Sequence, residues 1–306
     1  MAQLGNKAGH ALAAGALVAV GVAAGATAAA VTIRSRDVHL IRTAAGPALV
    51  KTLTAGGERV RVLQQDGVYQ SATYLDERRF EPVFNYYRAF DVMFQAESDL
   101  RAHTGAGIER VLMLGGGGFS YPKHLLTSRS GLALDVVEVD AAVVRLARRW
   151  FFLTELEARL ADPARAQGNA LGIYVADGLA YLRAAAARGA RYQAIVNDAF
   201  VGAEPVAHLA TLEAARAVRA CLSDRGLYLV NVVSKQGGGD LSFLRDQVAT
   251  LLAAFAHVHV IEAVDAHFGG ECNYLLVATD GSAAFDGAVP YDEGFPGTVL
   301  GGSAPA

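Results

Sequence analysis

From Arg110 onward, short apolar runs alternate with stretches of helical periodicity. Apolar runs of strand length that are separated by helical stretches predict an α/β fold. The early runs are apolar throughout, which is typical of parallel strands covered on both faces. We therefore expect a seven-stranded, mostly parallel sheet within residues 106–285. The predicted strands are residues 111–114, 133–139, 172–176, 192–197, 226–233, 258–263 and 273–279.

A different pattern precedes this region. Residues 37–73 contain alternating and apolar runs separated by glycine turns, among them Asp66-Gly67, and they predict the hairpins of a small sheet. Aromatic residues recur at helical spacing over residues 76–94, which predicts a helix whose rings pack against the core. We expect residues 37–105 to form a β-hairpin and helix subdomain, and residues 286–306 to form a loose tail rich in Gly and Pro.

The first 36 residues form an apolar leader. Residues 9–33 contain no Asp, Glu, Lys or Arg, and that length spans a bilayer as a helix. Lys7 precedes the segment, and Arg34 and Arg36 follow it, which orients the remaining chain toward the cytoplasm. We expect a membrane-anchored protein with a cytoplasmic catalytic domain. A cleaved secretory signal, a floppy Ala-rich leader and a simply cytoplasmic protein are the alternatives.

Composition narrows the function classes. Hydrophobic residues make up 53% of the chain and charged residues 19%, which favours a well-buried core. The net charge is −3 and basic residues are scattered, so we expect no nucleic-acid partner. Cys221 and Cys272 show no ligand spacing, and neither do the histidines, His208 among them. We expect no metal site and interpret the histidines as structural or surface residues.

The first predicted strand of the α/β region runs into four glycines, Gly115 to Gly118. Glycines after a strand let the backbone turn sharply and approach a ligand closely. Glu138 lies near the end of the second predicted strand, 22 residues after Gly116, the spacing at which an acid meets ribose hydroxyls in nucleotide-binding sheets. A solvated strand-end acid is the alternative for Glu138. We predict Gly115, Gly116, Gly117 and Glu138 as cofactor-binding residues.

Acidic residues also follow the third and fourth predicted strands. Asp177-Gly178 could hold an adenine through the carboxylate and the following amides, and Asp198 follows Asn197. An open α/β sheet binds its ligand at the carboxyl ends of its strands, where these residues meet. A helix cap is the alternative for Asp198.

These blocks resemble the spermidine synthase family. The likeness lies in residues 110–120, 135–144, 174–182 and 192–209, and Asp66 to Gln70 is similar to the family's hairpin ending in Asp-Gly-x-x-Gln. It covers roughly residues 38–279 and is closest to a divergent bacterial branch often fused to membrane segments. The resemblance implies a class I methyltransferase-like Rossmann fold. It also implies transfer of an aminopropyl group from decarboxylated S-adenosylmethionine to an amine.

Carried over by position, the resemblance implies that Glu138 binds the ribose, that Asp177 and Gly178 hold the adenine, and that Asp198 is the proton acceptor. Three positions depart from the family. Gly118 and Val201 stand where the family usually has acids, and Phe80 stands where it has His or Gln. The cofactor part of the site thus matches the family, and the polyamine part differs from it.

Three other functions share some of these features. An S-adenosylmethionine-dependent methyltransferase with an unknown acceptor would use the same pocket. A catalytically degraded, membrane-tethered nucleotide-binding module would retain it without turnover. An NAD-dependent oxidoreductase fits the glycine loop but leaves Asp177 and Asp198 unexplained. The expected partners are a small-molecule amine or other acceptor, the membrane through the N-terminal segment, and a second copy in a possible homodimer.

Overall fold

The computed structural model describes residues 32–55, 57–233, 239–264 and 272–301. The strands are β1 (Thr32–Thr43), β2 (Gly46–Ala55), β3 (Glu58–Gln65), β4 (Val68–Tyr74), β5 (Arg110–Leu114), β6 (Ala133–Glu138), β7 (Ala170–Val175), β8 (Tyr192–Asn197), β9 (Phe200–Val201), β10 (Glu204–Pro205), β11 (Leu222–Val233), β12 (His257–Val264), β13 (Cys272–Thr279) and β14 (Ala288–Val289). The helices are α1 (Tyr86–Ala89), α2 (Glu97–Thr104), α3 (Ser120–Ser128), α4 (Ala141–Trp150), α5 (Leu153–Ala161), α6 (Pro163–Ala166), α7 (Gly178–Ala187), α8 (Leu212–Cys221) and α9 (Ser242–Leu252). Phe90–Ala96 and Ala207–Ala210 are 3-10 helices.

The large sheet has the strand order β14-β12-β13-β11-β8-β5-β6-β7. Five neighbouring strands of this sheet, β7, β6, β5, β8 and β11, are parallel. The remaining strands, β13, β12 and β14, pair antiparallel with their neighbours. The predicted α/β fold is confirmed, but the sheet is mixed where a mostly parallel one was expected. The cause is that β13 inserts between β11 and β12 and runs against both of them. The eighth strand, β14, comes from the stretch predicted as a loose tail.

The core lies in two layers on the two faces of this sheet. Val111 and Met113 on β5 belong to a layer that also contains Val62 of the small sheet. Leu112 and Leu114 on the same strand belong to the opposite layer, beside α7 and α8. Successive side chains of a strand point to opposite faces, so an apolar run of this kind needs cover on both sides.

The small sheet is an antiparallel meander in the order β1-β2-β3-β4, as the hairpin pattern predicts. Asp66 and Gly67 form the turn between β3 and β4, and both have positive φ, 49° and 83°. Two consecutive residues with positive φ are what a two-residue type I′ hairpin requires. This turn carries β4, and with it Gln70, toward the large sheet.

Buried polar contacts fix β4 against the large domain. Lys123 on α3 is 1% exposed and donates hydrogen bonds to Thr73 Oγ1 at 3.0 Å and to Phe151 O at 2.9 Å. Burial lowers the pKa of Lys123 to about 7. The hydroxyls of Ser71 and Ser120 lie 3.0 Å apart in the same contact. The start of α3, directly after the glycine loop, is therefore held against the small sheet.

The predicted helix over residues 76–94 is mostly not formed. Residues 76–85 are turns and bends, and helix begins only at Tyr86. Pro82 pairs with Thr73 in an isolated bridge; a proline lacks the amide donor that a helix interior needs and disfavours helical geometry at the residue before it. The rings of Phe84 and Phe90 are nevertheless buried, as their spacing predicts.

The membrane prediction needs correction. The apolar helix was expected over residues 9–33. Residues 9–31 lie outside the described residues, and the last two positions, Thr32 and Ile33, belong to β1 and pair with β2. In the described part of the chain, no helix is long and apolar enough to cross a membrane. The predicted transmembrane helix and membrane-anchored localisation are therefore not supported, and they play no part in the function proposed below.

Candidate active site

A cavity of about 490 Å³ opens at the carboxyl ends of the parallel strands, between the large sheet and the β3–β4 hairpin. Its volume is in the range of sites for small organic ligands. The structure brings all the sequence-predicted site residues to its wall: Gly115, Gly116, Gly117, Glu138, Asp177, Gly178 and Asp198. Their roles stay predictions, but their convergence on one cavity gives those roles a common geometry.

The glycine loop after β5 is shaped by close backbone contacts. Gly115 has φ +94° and donates its amide to Val137 O at 2.9 Å. The space that a side chain at Gly115 would occupy is filled by the backbone carbonyl of Asp198. A Cβ at Gly116 would lie 2.9 Å from the ring of Phe119. Gly115 therefore requires glycine for its positive φ, and both Gly115 and Gly116 require it because a side chain would have no room.

Glu138 is the acid of the second strand, and its carboxylate organises the loop. It is 8% exposed, and its Oε2 accepts hydrogen bonds from the amides of Gly116 at 2.9 Å and Gly117 at 3.2 Å. Its Oε1 accepts from the amide of Asp140 at 3.0 Å. Burial raises the pKa of Glu138, and the three amides oppose that rise. A carboxylate has about four acceptor positions, so Oε1 keeps one for a ligand hydroxyl.

Asp177 lines the cavity after β7, at the start of α7. Its Oδ1 caps α7 by accepting from Ala180 N at 2.9 Å. Its Oδ2 lies 2.7 Å from Nε2 of His208, which also lines the cavity. His208 was interpreted from sequence as a structural or surface residue, and its place beside Asp177 went unrecognised. A ligand amino group that binds Oδ2 of Asp177 must share that oxygen with this histidine or displace it.

Asp198 is half-buried at the centre of the wall, after β8. Its Oδ1 accepts from Asn231 Nδ2 at 2.8 Å, and its Oδ2 accepts from Tyr86 OH at 3.3 Å. Burial raises the pKa of Asp198 to about 7, and the two hydrogen bonds oppose the rise. A carboxylate that titrates near neutrality can accept a proton from a substrate. The helix-cap alternative does not hold, because β9 follows Asp198 and Thr211 caps α8.

Two tyrosines from the segment after the small sheet complete the surroundings of Asp198. The rings of Tyr86 and Tyr87 lie 4.2 Å apart, and both side chains line the cavity. Burial raises the pKa of both phenols, and the charge of Asp198 adds to the effect. They stay protonated, so Tyr86 keeps the hydrogen that it donates to Asp198. Sequence reasoning assigned Tyr87 to core packing and did not single out Tyr86.

A short hairpin of β9 and β10 borders the cavity. Gln70, the last residue of the Asp-Gly-x-x-Gln hairpin motif, donates its side-chain amide to Gly202 O at 2.8 Å. This contact links the small sheet to the hairpin across the cavity mouth. Val201, on the same hairpin, lines the cavity and is 49% exposed. The position where the family has a second acid is therefore open and apolar here.

The other two departures lie elsewhere. A Cβ on Gly118 would lie 2.6 Å from Ser71 Oγ and 2.8 Å from Phe151 Cδ1, so the contact with the small sheet leaves no room for the family's acid. Phe80 is not among the described residues that line the cavity. The packing around Gly118 thus excludes a carboxylate at that position, whereas the exposed position of Val201 has room for one.

No family model matches the chain. A polyamine aminopropyltransferase from Vibrio vulnificus is 29% identical over 126 residues, which cover 41% of this chain and 38% of that relative. The fold is similar to that of a probable spermidine synthase from Corynebacterium glutamicum, with a TM-score of 0.59 at 23% identity over 79% of this chain and 80% of that one. A spermidine synthase from Thermotoga maritima has a TM-score of 0.59 at 19% identity over 81% and 75%. The predicted resemblance to the spermidine synthase family is confirmed.

Proposed function

We propose that this protein is a spermidine synthase-like aminopropyltransferase that uses decarboxylated S-adenosylmethionine and a small amine acceptor. One observation supports this function above the others. The described residues of the cavity wall include four carboxylates, Glu138, Asp140, Asp177 and Asp198, and neither Lys nor Arg. Such a wall favours cationic ligands and disfavours a ligand that carries its own carboxylate. A decarboxylated sulfonium fits it better than S-adenosylmethionine or NAD.

The cofactor contacts follow the order of the strands. The free acceptor position of Glu138 Oε1 suits a ribose hydroxyl. Asp177 and the amide of Gly178 suit the adenine at the end of β7. The glycine loop follows β5, between β6 and β8, and lets the ligand approach the backbone closely. These assignments place the sulfonium and its propyl chain toward Asp198, on the next strand of the sheet.

The reaction is a displacement at the carbon beside the sulfonium sulfur. The lone pair of the acceptor nitrogen forms the new C–N bond while the C–S bond breaks. The electron pair of the C–S bond goes to sulfur, which leaves as part of a neutral thioether. The nitrogen loses one proton, and the carboxylate of Asp198 accepts it. Tyr86 and Asn231 fix the direction of that carboxylate, which favours the reactive geometry.

Binding and turnover test the proposal in sequence. Calorimetry on the full chain should show tighter binding of decarboxylated S-adenosylmethionine than of S-adenosylmethionine or NAD. A clear preference for S-adenosylmethionine would point to methyl transfer, and binding of NAD alone would overturn the proposal.

Turnover with 1,4-diaminobutane then tests Asp198. Asp198→Asn should lower kcat by about 10²–10⁴-fold because the amide cannot accept the proton. The matched control is Asp162→Asn on α6, outside the cavity, where asparagine retains the helix-capping function. Equal rates for Asp198→Asn and the wild type would remove Asp198 from the mechanism.

A further inference from the structure

The wall of the cavity holds one buried carbonyl oxygen that has no partner among the described residues. Asn273, at the start of β13, is 5% exposed and lines the cavity, and its Oδ1 accepts no hydrogen bond within the described chain. A buried polar atom without a hydrogen-bond partner lowers the stability of the fold, and most buried polar atoms in proteins do have a partner. Ser223 Oγ is in the same condition but lies outside the cavity lining.

The register of the sheet places Asn273 on the acceptor side of Asp198. Val233 of β11 lies directly opposite Asn273, and Asn231 lies two residues before Val233. These three side chains therefore share one face of the sheet, and all of them line the cavity. Asn231 donates its hydrogen bond to Asp198, so the polar wall runs from Asp198 through Asn231 toward Asn273.

The cofactor residues lie in the opposite direction. In the strand order, β5 and β6 carry the glycine loop and Glu138 on one side of β8, whereas β11 and β13 lie on the other side. Asn273 is two strands away from β8, or about 10 Å between strand axes. A four-carbon chain with a hydrogen bond at each end spans roughly that distance. An acceptor whose reacting nitrogen lies at Asp198 thus extends toward Asn273.

We propose that Asn273 is a specificity-determining residue, whose Oδ1 accepts a hydrogen bond from a second N–H or O–H donor on the acceptor amine. This inference rests on the proposed aminopropyl transfer and assigns Asn273 a role at the distal end of the acceptor, about four carbons from the reacting nitrogen. A neutral amide oxygen accepts from a hydroxyl or an amino group alike. A site built to pair a substrate donor discriminates against the analogue that lacks it, because the buried oxygen is then left unpaired.

Three acceptors of equal chain length test the inference on the full-length enzyme with saturating decarboxylated S-adenosylmethionine. They are 1,4-diaminobutane, 4-amino-1-butanol and butylamine, and only butylamine lacks a second donor. In the wild type, kcat/KM for butylamine should be at least roughly tenfold below that for 4-amino-1-butanol. In Asn273→Leu, which removes the oxygen at similar volume, that ratio should fall close to one.

A stability measurement separates this role from a structural one. Asn273→Leu removes an unpaired buried oxygen, so its Tm without substrate should rise by about 2–4 °C. Ser223→Ala is the matched control: it also removes an unpaired buried oxygen and should raise Tm, but it should leave the ratio between the two acceptors as in the wild type. An equal preference in Asn273→Leu and the wild type, or a wild type that does not distinguish the acceptors, would overturn the inference. Failure of the wild type to transfer to any amine would instead count against the proposed function.

Discussion

The two halves of the cavity are built by different means. The half proposed to bind the cofactor, called the cofactor half below, comprises Gly115 to Gly117, Glu138 and Asp177, and in it a carboxylate holds backbone amides that are 22 residues away or fewer. The half proposed to bind the amine, called the acceptor half, comprises Gln70, Tyr86, Asp198, Val201, Asn231 and Asn273, and in it side chains meet from distant parts of the chain. The Tyr86–Asp198 contact joins residues 112 positions apart, and the Gln70–Gly202 contact joins residues 132 apart.

This difference explains which half matches the family. Backbone geometry in the glycine loop leaves little room for substitution, because a side chain at Gly115 would meet the backbone carbonyl of Asp198. A side chain such as Val201, which is half exposed on a two-stranded hairpin, can change without disturbing the fold. The acceptor half is therefore where substrate preference can vary on an unchanged cofactor site.

The largest effect on ligand binding is expected in the cofactor half. Gly115→Ala should lower the affinity for methylthioadenosine on the order of 100-fold, since the new methyl group must push the loop away from the backbone of Asp198. Calorimetry measures the affinity. The matched control is Gly131→Ala, which also has a positive φ of 73° but nothing within 4 Å of the added methyl group. Similar losses in both variants would show that general destabilisation of the chain, and not the contact with Asp198, lowers the affinity.

The cofactor half could be predicted from sequence because its rule is local. A strand that ends in glycines and a second strand that ends in an acid are visible in the order of residues, and the carboxyl edge of the sheet brings them together. The position of Glu138 followed from its spacing alone. Its use by three backbone amides did not, because that depends on the path of the loop in space.

The acceptor half was less accessible. Tyr86 was hidden in an aromatic stretch predicted to be helical, and Pro82 prevents that helix. Asn231 lies near the carboxyl end of a predicted strand, and the criterion that singled out Asp198 could have found it. Asn273 begins its predicted strand, and it reaches the same edge only because β13 runs antiparallel to β11. What no local pattern provides is that β13 inserts beside β11 and brings these two asparagines to one wall.

A smaller effect is expected from the side chains around Asp198. The ionised carboxylate is the form that accepts a proton, so kcat/KM should rise with pH through the pKa of Asp198, about 7. The hydrogen bond from Asn231 lowers that pKa. Asn231→Leu removes it, and the midpoint of the profile should move to higher pH by about one unit.

The pH profile distinguishes this effect from a general loss of activity. Titration of the acceptor amine contributes equally to both profiles when wild type and variant use the same amine, so the difference between their midpoints reports on the enzyme. Tyr86→Phe removes a longer hydrogen bond and should move the midpoint in the same direction by less. A midpoint that stays in place or moves to lower pH in Asn231→Leu would contradict the proton-acceptor assignment.

The smallest effect is expected where the acceptor half departs from the family. Val201 is half exposed on the cavity wall, so Val201→Asp should fold with an unchanged Tm and place a second carboxylate near a diamine. The KM for 1,4-diaminobutane should fall about threefold to tenfold, while the KM for butylamine should stay within about twofold, because only the diamine has a second cation. Val201→Asn controls for size without charge.

Gly118→Asp provides the contrast. The same acid introduced at this other departure meets Ser71 Oγ and Phe151, and it should lower Tm by several degrees without improving the KM for the diamine. If Val201→Asp and Gly118→Asp instead behaved alike, either both stable and diamine-selective or both unstable, the contact between the glycine loop and the small sheet would not be what excludes the acid. The absence of acids at Val201 and Gly118 would then have to be explained by the substrate that the protein binds, and not by the packing around these two residues.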